Sequence, residues 1–291
     1  MIAQTRPKIN HIFLLGHPIT HSLSPAMHNA ALRAVGLDDW RYELLDRTRH
    51  ELVDAVARIR AEDCVGANVT IPHKETIVKW LDDLAESARK VDAVNTLVKR
   101  DGKLIGENTD LYGFAETLRD AHIHPRHARV VILGAGGGAR AIAFALAEAG
   151  AASIVLLNRA TMRAAILADI LHEHFPDLGL AVNLTDALKT ANIIVNATAV
   201  GMSPNADESP MPTGYTFPHG AVVFDLVYNP PETQFLRDAK QAEARAIGGL
   251  GMLVHQGAAA FKLWTGRDAP VQVMFDAARQ ALKTQHAPRN T

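Results

Sequence analysis

The sequence has 291 residues, with 30 Lys and Arg against 31 Asp and Glu, for a formal net charge of -1. This balance excludes the basic footprint of a nucleic-acid or anionic-membrane binder and favours small-molecule chemistry, while the length allows two domains with a substantial buried core. The single cysteine, Cys64, excludes a disulfide framework or thiolate metal cluster, suits a reducing cytoplasm, and reads as a core residue.

In chain order, "MIAQTRPKINHIFLLG" has no apolar run long enough for a signal peptide or membrane span, so a cytoplasmic, unprocessed protein is expected. From His11 to about Arg100, strand-like and helix-like segments alternate: "HIFLLG", "SPAMHNAALRAVG", "WRYELL", "ELVDAVARIR", "CVGANVTI" and "AVNTLVK". Alternation of this kind predicts an α/β unit, a parallel or mixed sheet covered by helices. The segment "HKETIVKWLDDL" reads as a further helix from its apolar Ile77, Val78 and Leu81, with Pro72 before it. Residues 110–121 form a connecting helix, and "HIHPRH" a polar turn. A second unit begins at "ARVVILGAGGGARAIAFALAEAG" and continues through the strands "SIVLLN", "NIIVNA" and "AVVFDLVY", a succession that predicts a doubly wound nucleotide-binding domain. The end, from "GLGMLVHQGAAAFKLWTG", is an amphipathic helical tail.

Gly134, Gly136 and Ala139 fit the G-x-G-x-x-G/A fingerprint between a strand and a helix, where the turn admits a close backbone approach and the helix start receives a pyrophosphate. At the end of the next strand "LLNRATMR" offers Asn158, Arg159 and Arg163 and no acid. An acid there would bind the ribose hydroxyls of NAD; two guanidiniums suit the 2′-phosphate of NADP, although arginines solvated on a helix face would look the same. Thr161 reads as the cap of that helix, with Arg163 in its first turn.

Lys74 sits at the predicted helix N-terminus, an electrostatically awkward place for a cation unless it simply reaches into water. In "GHPITHSLSPAMHN", Ser24 reads as an N-cap with Pro25 at the first helical position, and Ser22 and Ser24 together could also cradle a carboxylate. Asp110 in "GENTDLYG" precedes a helix and can be read as its cap. Asn95, Tyr228 and Gln256 are further single polar groups. His122, His124 and His127 have spacing that could suit a metal but read as a solvated loop, so no metal is expected.

The ordered series "GHPITHSLSPAMHN", "NVTIPHK", "AVNT", "ENTD", "GAGGGARA", "NRATMR", "NATAVGM", "DLVYNP" and "GLGMLVHQGAAAFKLWTG" closely resembles the shikimate dehydrogenase family, from about Ile9 to Thr265. The resemblance implies an N-terminal α/β catalytic domain, residues 1–110, completed by C-terminal helices, residues 250–291, with a Rossmann-type domain over residues 111–249. It implies reversible NADPH-dependent reduction of 3-dehydroshikimate to shikimate, by a monomer or homodimer with a small-molecule substrate and neither nucleic-acid nor membrane partner. By matching position, Lys74 and Asp110 would be the catalytic pair. Ser22, Ser24, Thr70, Asn95, Tyr228 and Gln256 would hold the substrate. Gly134, Ala135, Gly136, Gly137, Gly138, Asn158, Arg159, Arg163, Leu226 and Gly249 would contact NADP.

Oxidising a secondary alcohol moves a hydride to the nicotinamide while a proton leaves the hydroxyl, work that suits an amine with a neighbouring carboxylate. Three positions depart from the family pattern: Asp92 stands for a usual glycine, Ala160 for a frequent threonine and Ala199 for a frequent serine. Rival expectations are a quinate/shikimate dehydrogenase using NAD, an enzyme of folate-linked one-carbon metabolism, and a non-catalytic metabolite sensor.

Overall fold

The computed structural model describes residues 9–286. They divide into two compact units, one running to Thr109 and resuming at Gly257, the other from Asp110 to Gln256.

In the first unit, β1 (Asn10–Gly16), α1 (Ser24–Ala34), β2 (Trp40–Asp46), α2 (Leu52–Arg60), β3 (Cys64–Val69), β4 (Asp83–Leu84), α3 (Glu86–Val91), β5 (Thr96–Arg100) and β6 (Lys103–Glu107) form a six-stranded mixed sheet with covering helices. The strand order is β2-β1-β3-β5-β6-β4; β1 runs parallel to both its neighbours, and the β3–β5 and β5–β6 pairs are antiparallel. The apolar run of β1 is buried because this strand is central, and Leu15, Val69 and Leu97 from three strands meet Ile59 of α2 in one core.

The predicted helix beginning near Lys74 does not form. Residues 71–77 are turn, followed only by a 3₁₀ segment, Val78–Trp80. An α-helix would need the Lys74 carbonyl for the amide of Val78, but that carbonyl accepts instead from Val94 N at 2.8 Å. The helix-dipole argument about Lys74 therefore falls. The apolar spacing of Ile77, Val78 and Leu81 serves a turn whose side chains still reach the core.

The second unit opens with α4 (Asp110–Asp120) and builds β7 (Arg129–Leu133), α5 (Gly137–Glu148), β8 (Ser153–Leu157), α6 (Thr161–His174), β9 (Gly179–Val182), β10 (Ile193–Asn196), β11 (Val222–Asp225), α7 (Gln234–Gln241) and β12 (Arg245–Ile247). All neighbouring strands are parallel, in the order β12-β11-β10-β7-β8-β9. This is the doubly wound arrangement expected from the sequence. Its topological switch point lies between β7 and β10, at whose carboxyl ends such folds bind ligands. The strands read as continuous apolar runs because both faces are covered. Two helices close the chain: α8 (Leu250–Thr265), which spans the division between the units, and α9 (Val271–His286), which packs on α1.

Candidate active site

Three of the residues expected at the substrate site, Thr70, Lys74 and Asn95, lie beside the ends of β3 and β5. Thr70 follows β3, and its amide donates to Leu15 O of β1 at 2.8 Å. The turn it begins carries half-buried Lys74 and is strapped to the strand beside it by the bond from Val94, whose next residue is Asn95. Asn95 is buried, and its carboxamide oxygen accepts from Thr109 N at 2.7 Å.

The serine pair is built differently from the expectation. Leu23, not Ser24, is the N-cap of α1, Ser24 is the first helical residue, and Pro25 lies in the first turn. The Ser22 hydroxyl accepts from Ser24 N at 3.2 Å, so Ser22 supplies the local hydrogen bond and frees Ser24 of the capping role.

Asp92 is the C-cap of α3 at φ 49°, ψ 42°, in the left-handed region. The glycine usual in relatives meets the same backbone requirement without a Cβ, and Asp is among the side chains that tolerate it.

In the second unit, the glycine turn sits at the switch point. Gly134 has φ +117°, and a Cβ on it would lie 3.0 Å from Ala197 O at the end of β10. Gly136 is the N-cap of α5, which has no side-chain cap, so the first-turn amides of Gly137 and Gly138 are presented as an anion cradle. The Leu226 side chain approaches this cradle, with Cδ2 3.3 Å from the Cβ position of Gly138. Gly249 packs so tightly on Leu226 that a Cβ would stand 2.2 Å from its carbonyl oxygen.

Arg163 lies in the first turn of α6 as expected, with Nη2 4.0 Å from the Cβ position of Gly136, which brings a guanidinium to the glycine turn. Arg159 is exposed on the loop between β8 and α6. Asn158 braces that loop, donating from Nδ2 to Ala160 O at 2.9 Å while its amide donates to Asn183 Oδ1. Thr161 is not the cap: Ala160 is, and the Thr161 hydroxyl accepts from Asn183 Nδ2 at 2.8 Å. The threonine common in relatives at position 160 would place a capping hydroxyl where alanine has none. A glycine cradle without Cβ clash, an uncapped helix start and an adjacent guanidinium fit a dinucleotide.

Asp110 is the first residue of α4 and is buried. On α8, Gln256 donates to Leu253 O at 2.8 Å, and Gly113 of α4 lets the Gln256 backbone approach closely. Tyr228 is half-buried after β11.

Sequence reading missed two buried polar clusters. One joins Tyr42, Asn68, Thr96, Asn95 and Thr109 in the first unit. The other holds the strand ends at the switch point: Asp225 accepts from Asn196 Nδ2 at 2.9 Å, Val227 N at 3.0 Å and Thr233 Oγ1 at 2.6 Å. Burial pushes the Asp225 carboxyl up to about 6 against the pull of those donors. Asn68 and Asn196, amides inside otherwise apolar strands, were the available signals.

The Cys64 thiol is buried and pushed up to about 11, which makes it inert. Among the described residues, no group of three His, Cys, Asp or Glu side chains is placed to hold a metal, and no helix is long and apolar enough to cross a membrane.

Three family models match the chain: the shikimate dehydrogenase substrate binding domain over residues 14–97, shikimate/quinate 5-dehydrogenase over 117–208, and the shikimate 5′-dehydrogenase C-terminal domain over 249–279. A Moorella thermoacetica protein named shikimate dehydrogenase (NADP(+)) is 46% identical over 284 residues, covering 96% of each chain. The chain belongs to the shikimate dehydrogenase family. Shikimate 5-dehydrogenase from Thermus thermophilus, solved with NADP(H) and shikimate, matches with a TM-score of 0.84 at 39% identity, covering 94% of this chain and 100% of that one. Ligand-free 5-ketofructose reductase of a Gluconobacter species gives a TM-score of 0.80 at 37% identity, covering 94% and 98%.

Proposed function

We infer that this chain is an NADP-dependent shikimate dehydrogenase, reversibly reducing 3-dehydroshikimate to shikimate on the route to chorismate and the aromatic amino acids. The observation that carries the reading is identity of 46% across 96% of the chain to a shikimate dehydrogenase (NADP(+)), joined to a glycine turn and arginines of the kind a phosphorylated dinucleotide needs.

Lys74 and Asp110 act at the hydroxyl being oxidised: Lys74 takes its proton and returns it in the reverse direction, and Asp110 is the carboxylate of the pair. NADP supplies the hydride chemistry when bound. Ser22 and Ser24 hold the ring carboxylate, Thr70, Asn95, Tyr228 and Gln256 help to hold the substrate, and the amides and the carboxylate among these groups read its ring hydroxyls. The amides of residues 134–138, with Ala135 among them, take the pyrophosphate, and Leu226 and Gly249 are further cofactor contacts. Asn158, Arg159 and Arg163 form the loop for the 2′-phosphate. The setting is cytoplasmic, as the lone buried thiol suits, and the working form is a monomer or homodimer.

The test is absorbance at 340 nm with the purified chain, crossing shikimate, quinate and the neutral ketose 5-ketofructose against the NADP and NAD couples. Shikimate with NADP should dominate. A preference for quinate or NAD would move the chain to the quinate/shikimate branch, and a preference for the ketose would remove the carboxylate-holding role of the serines. Silence throughout would favour a sensor.

A further inference from the structure

The second unit has a concavity at the end of its sheet away from the glycine turn. Its volume is about 580 Å³, and it lies where β7, β10, β11 and β12 begin, beside the turn that follows α4. The glycine turn stands at the carboxyl end of β7, so the length of a strand, about 16 Å, separates the two places. The buried part of the lining is apolar and includes Ala128, Ala191, Ile193 and Ala221. The exposed part carries Arg129, Lys189 and Arg245 with His122, His124 and His219, and no aspartate or glutamate lines the cavity. In a chain of net charge -1 this is a local excess of one sign.

The two arginines are the cations that the protein does not neutralise. Lys189 is paired with Asp186 at 2.6 Å, and His219 lies 3.0 Å from Glu243. Arg129 and Arg245 meet no carboxylate among the described residues. Each commits a single N–H of its five to a backbone carbonyl: Arg129 Nε donates to Thr190 O at 2.9 Å, and Arg245 Nη2 donates to Ala121 O. These bonds tether both guanidiniums and leave most of each fork for a ligand. Their strands, β7 and β12, are three strand spacings apart, about 14 Å, so the pair brackets the cavity. The turn after α4 adds an independent observation. It is a Schellman motif, with Ile123 N donating to Leu118 O and His122 N to Arg119 O, both at 2.9 Å. His122 has φ 53°, the left-handed position where glycine is preferred. An imidazole is kept there at a local conformational cost, and it lines the cavity together with that of His124. A metal does not explain these histidines, since among the described residues they belong to no group able to hold one.

We propose that this concavity is a further binding site, for a small molecule that bears two or more negative charges on phosphate or carboxylate groups and is held between Arg129 and Arg245. Its volume is within the range of small-molecule sites. A guanidinium fork matches either anionic group in bidentate fashion. The imidazoles of His122 and His124 supply further N–H donors, one each when neutral. The site lies at the opposite end of the strands from the glycine turn, so its occupant does not compete with the dinucleotide. This inference does not depend on the shikimate reading.

The test is isothermal titration of the full chain with pyrophosphate and, separately, with citrate, at fixed ionic strength and with saturating NADP+ to occupy the glycine turn. The wild type should bind at least one of the two at a single site. The double variant Arg129→Gln, Arg245→Gln should bind it about tenfold or more weakly, through loss of charge-assisted bonds, with NADP+ affinity unchanged. Arg126→Gln removes an exposed arginine outside the lining and should titrate as wild type. Pyrophosphate alone binding would assign phosphate as the recognised group, and citrate alone would assign carboxylate. No binding by the wild type, equal affinity in the double variant, or an equal loss in Arg126→Gln would overturn the proposal.

A second readout needs no variant. In ¹⁵N NMR of the wild type with NADP+ present, the bound anion should shift the backbone amides of Asn192, Gly220 and Arg245 and leave those of Gly136, Gly137 and Gly138 in place. Shifts confined to the glycine turn would overturn the proposal. An enzyme inactive on shikimate that still shows the expected shifts would overturn the shikimate reading alone.

Discussion

Replacing His28 by phenylalanine should remove much of the acid sensitivity of the first unit. His28 is fully buried on α1, stacked on Tyr42 and close to Trp264, with both ring nitrogens lacking a hydrogen-bond partner in the described structure. Burial lowers its pKa from 6.5 to about 3. Protons therefore bind the unfolded chain first as pH falls, so the stabilisation is complete above pH 6.5 and is lost on descending toward pH 3. At about 1.4 kcal/mol per unit, the full shift corresponds to about 5 kcal/mol, of which about 2.5 kcal/mol falls between pH 7.5 and 4.5. All three tryptophans, Trp40, Trp80 and Trp264, belong to the first unit, so urea unfolding followed by their fluorescence reports on it directly. Phenylalanine keeps the ring stack, and any overpacking shifts its stability equally at every pH. The wild type should lose about 2.5 kcal/mol more than the variant over this pH range. Parallel pH profiles would refute the argument that His28 is held neutral by burial.

Arg159→Ala should weaken NADP+ binding about tenfold or more while leaving NAD+ nearly untouched, as read by fluorescence titration, since a charge-assisted bond to the 2′-phosphate exists only for the former. Equal weakening would discredit the phosphate clamp. Asp92→Gly should raise stability by about 1 kcal/mol, seen as a higher Tm, because glycine relieves the left-handed C-cap of α3 without removing the bend. Ala160→Thr should likewise stabilise α6 by about 1 kcal/mol by restoring a capping hydroxyl, and an unchanged Tm would mean the cap is not used.

The second unit was almost fully legible because its signals are local. Each parallel strand is a short apolar run ended by a glycine, asparagine or aspartate, and the glycine turn falls between one such run and a helix. The turn at Lys74 was misread for the opposite reason. Its apolar spacing imitates a helix, whereas the bond that prevents one comes from Val94, twenty residues along the chain. The caps at Ser24 and Thr161 were each displaced by a hydroxyl or amide acting from outside the assumed frame, Ser22 in one case and Asn183 in the other. Short pieces such as β4, β12 and α3 carry too few residues for periodicity to show. Asn95 could be found from its motif, but the pairing of Asn68 with Thr96 exists only once β3 and β5 are side by side.

The measurement closest to the centre of the account is shikimate turnover by Lys74→Ala beside NADP+ affinity of the same variant. Removal of the proton-transfer group should reduce kcat about 10²–10⁴-fold with NADP+ binding unchanged. A variant that oxidises shikimate at the wild-type rate would contradict the assignment of Lys74 and, with it, the proposed chemistry of this site.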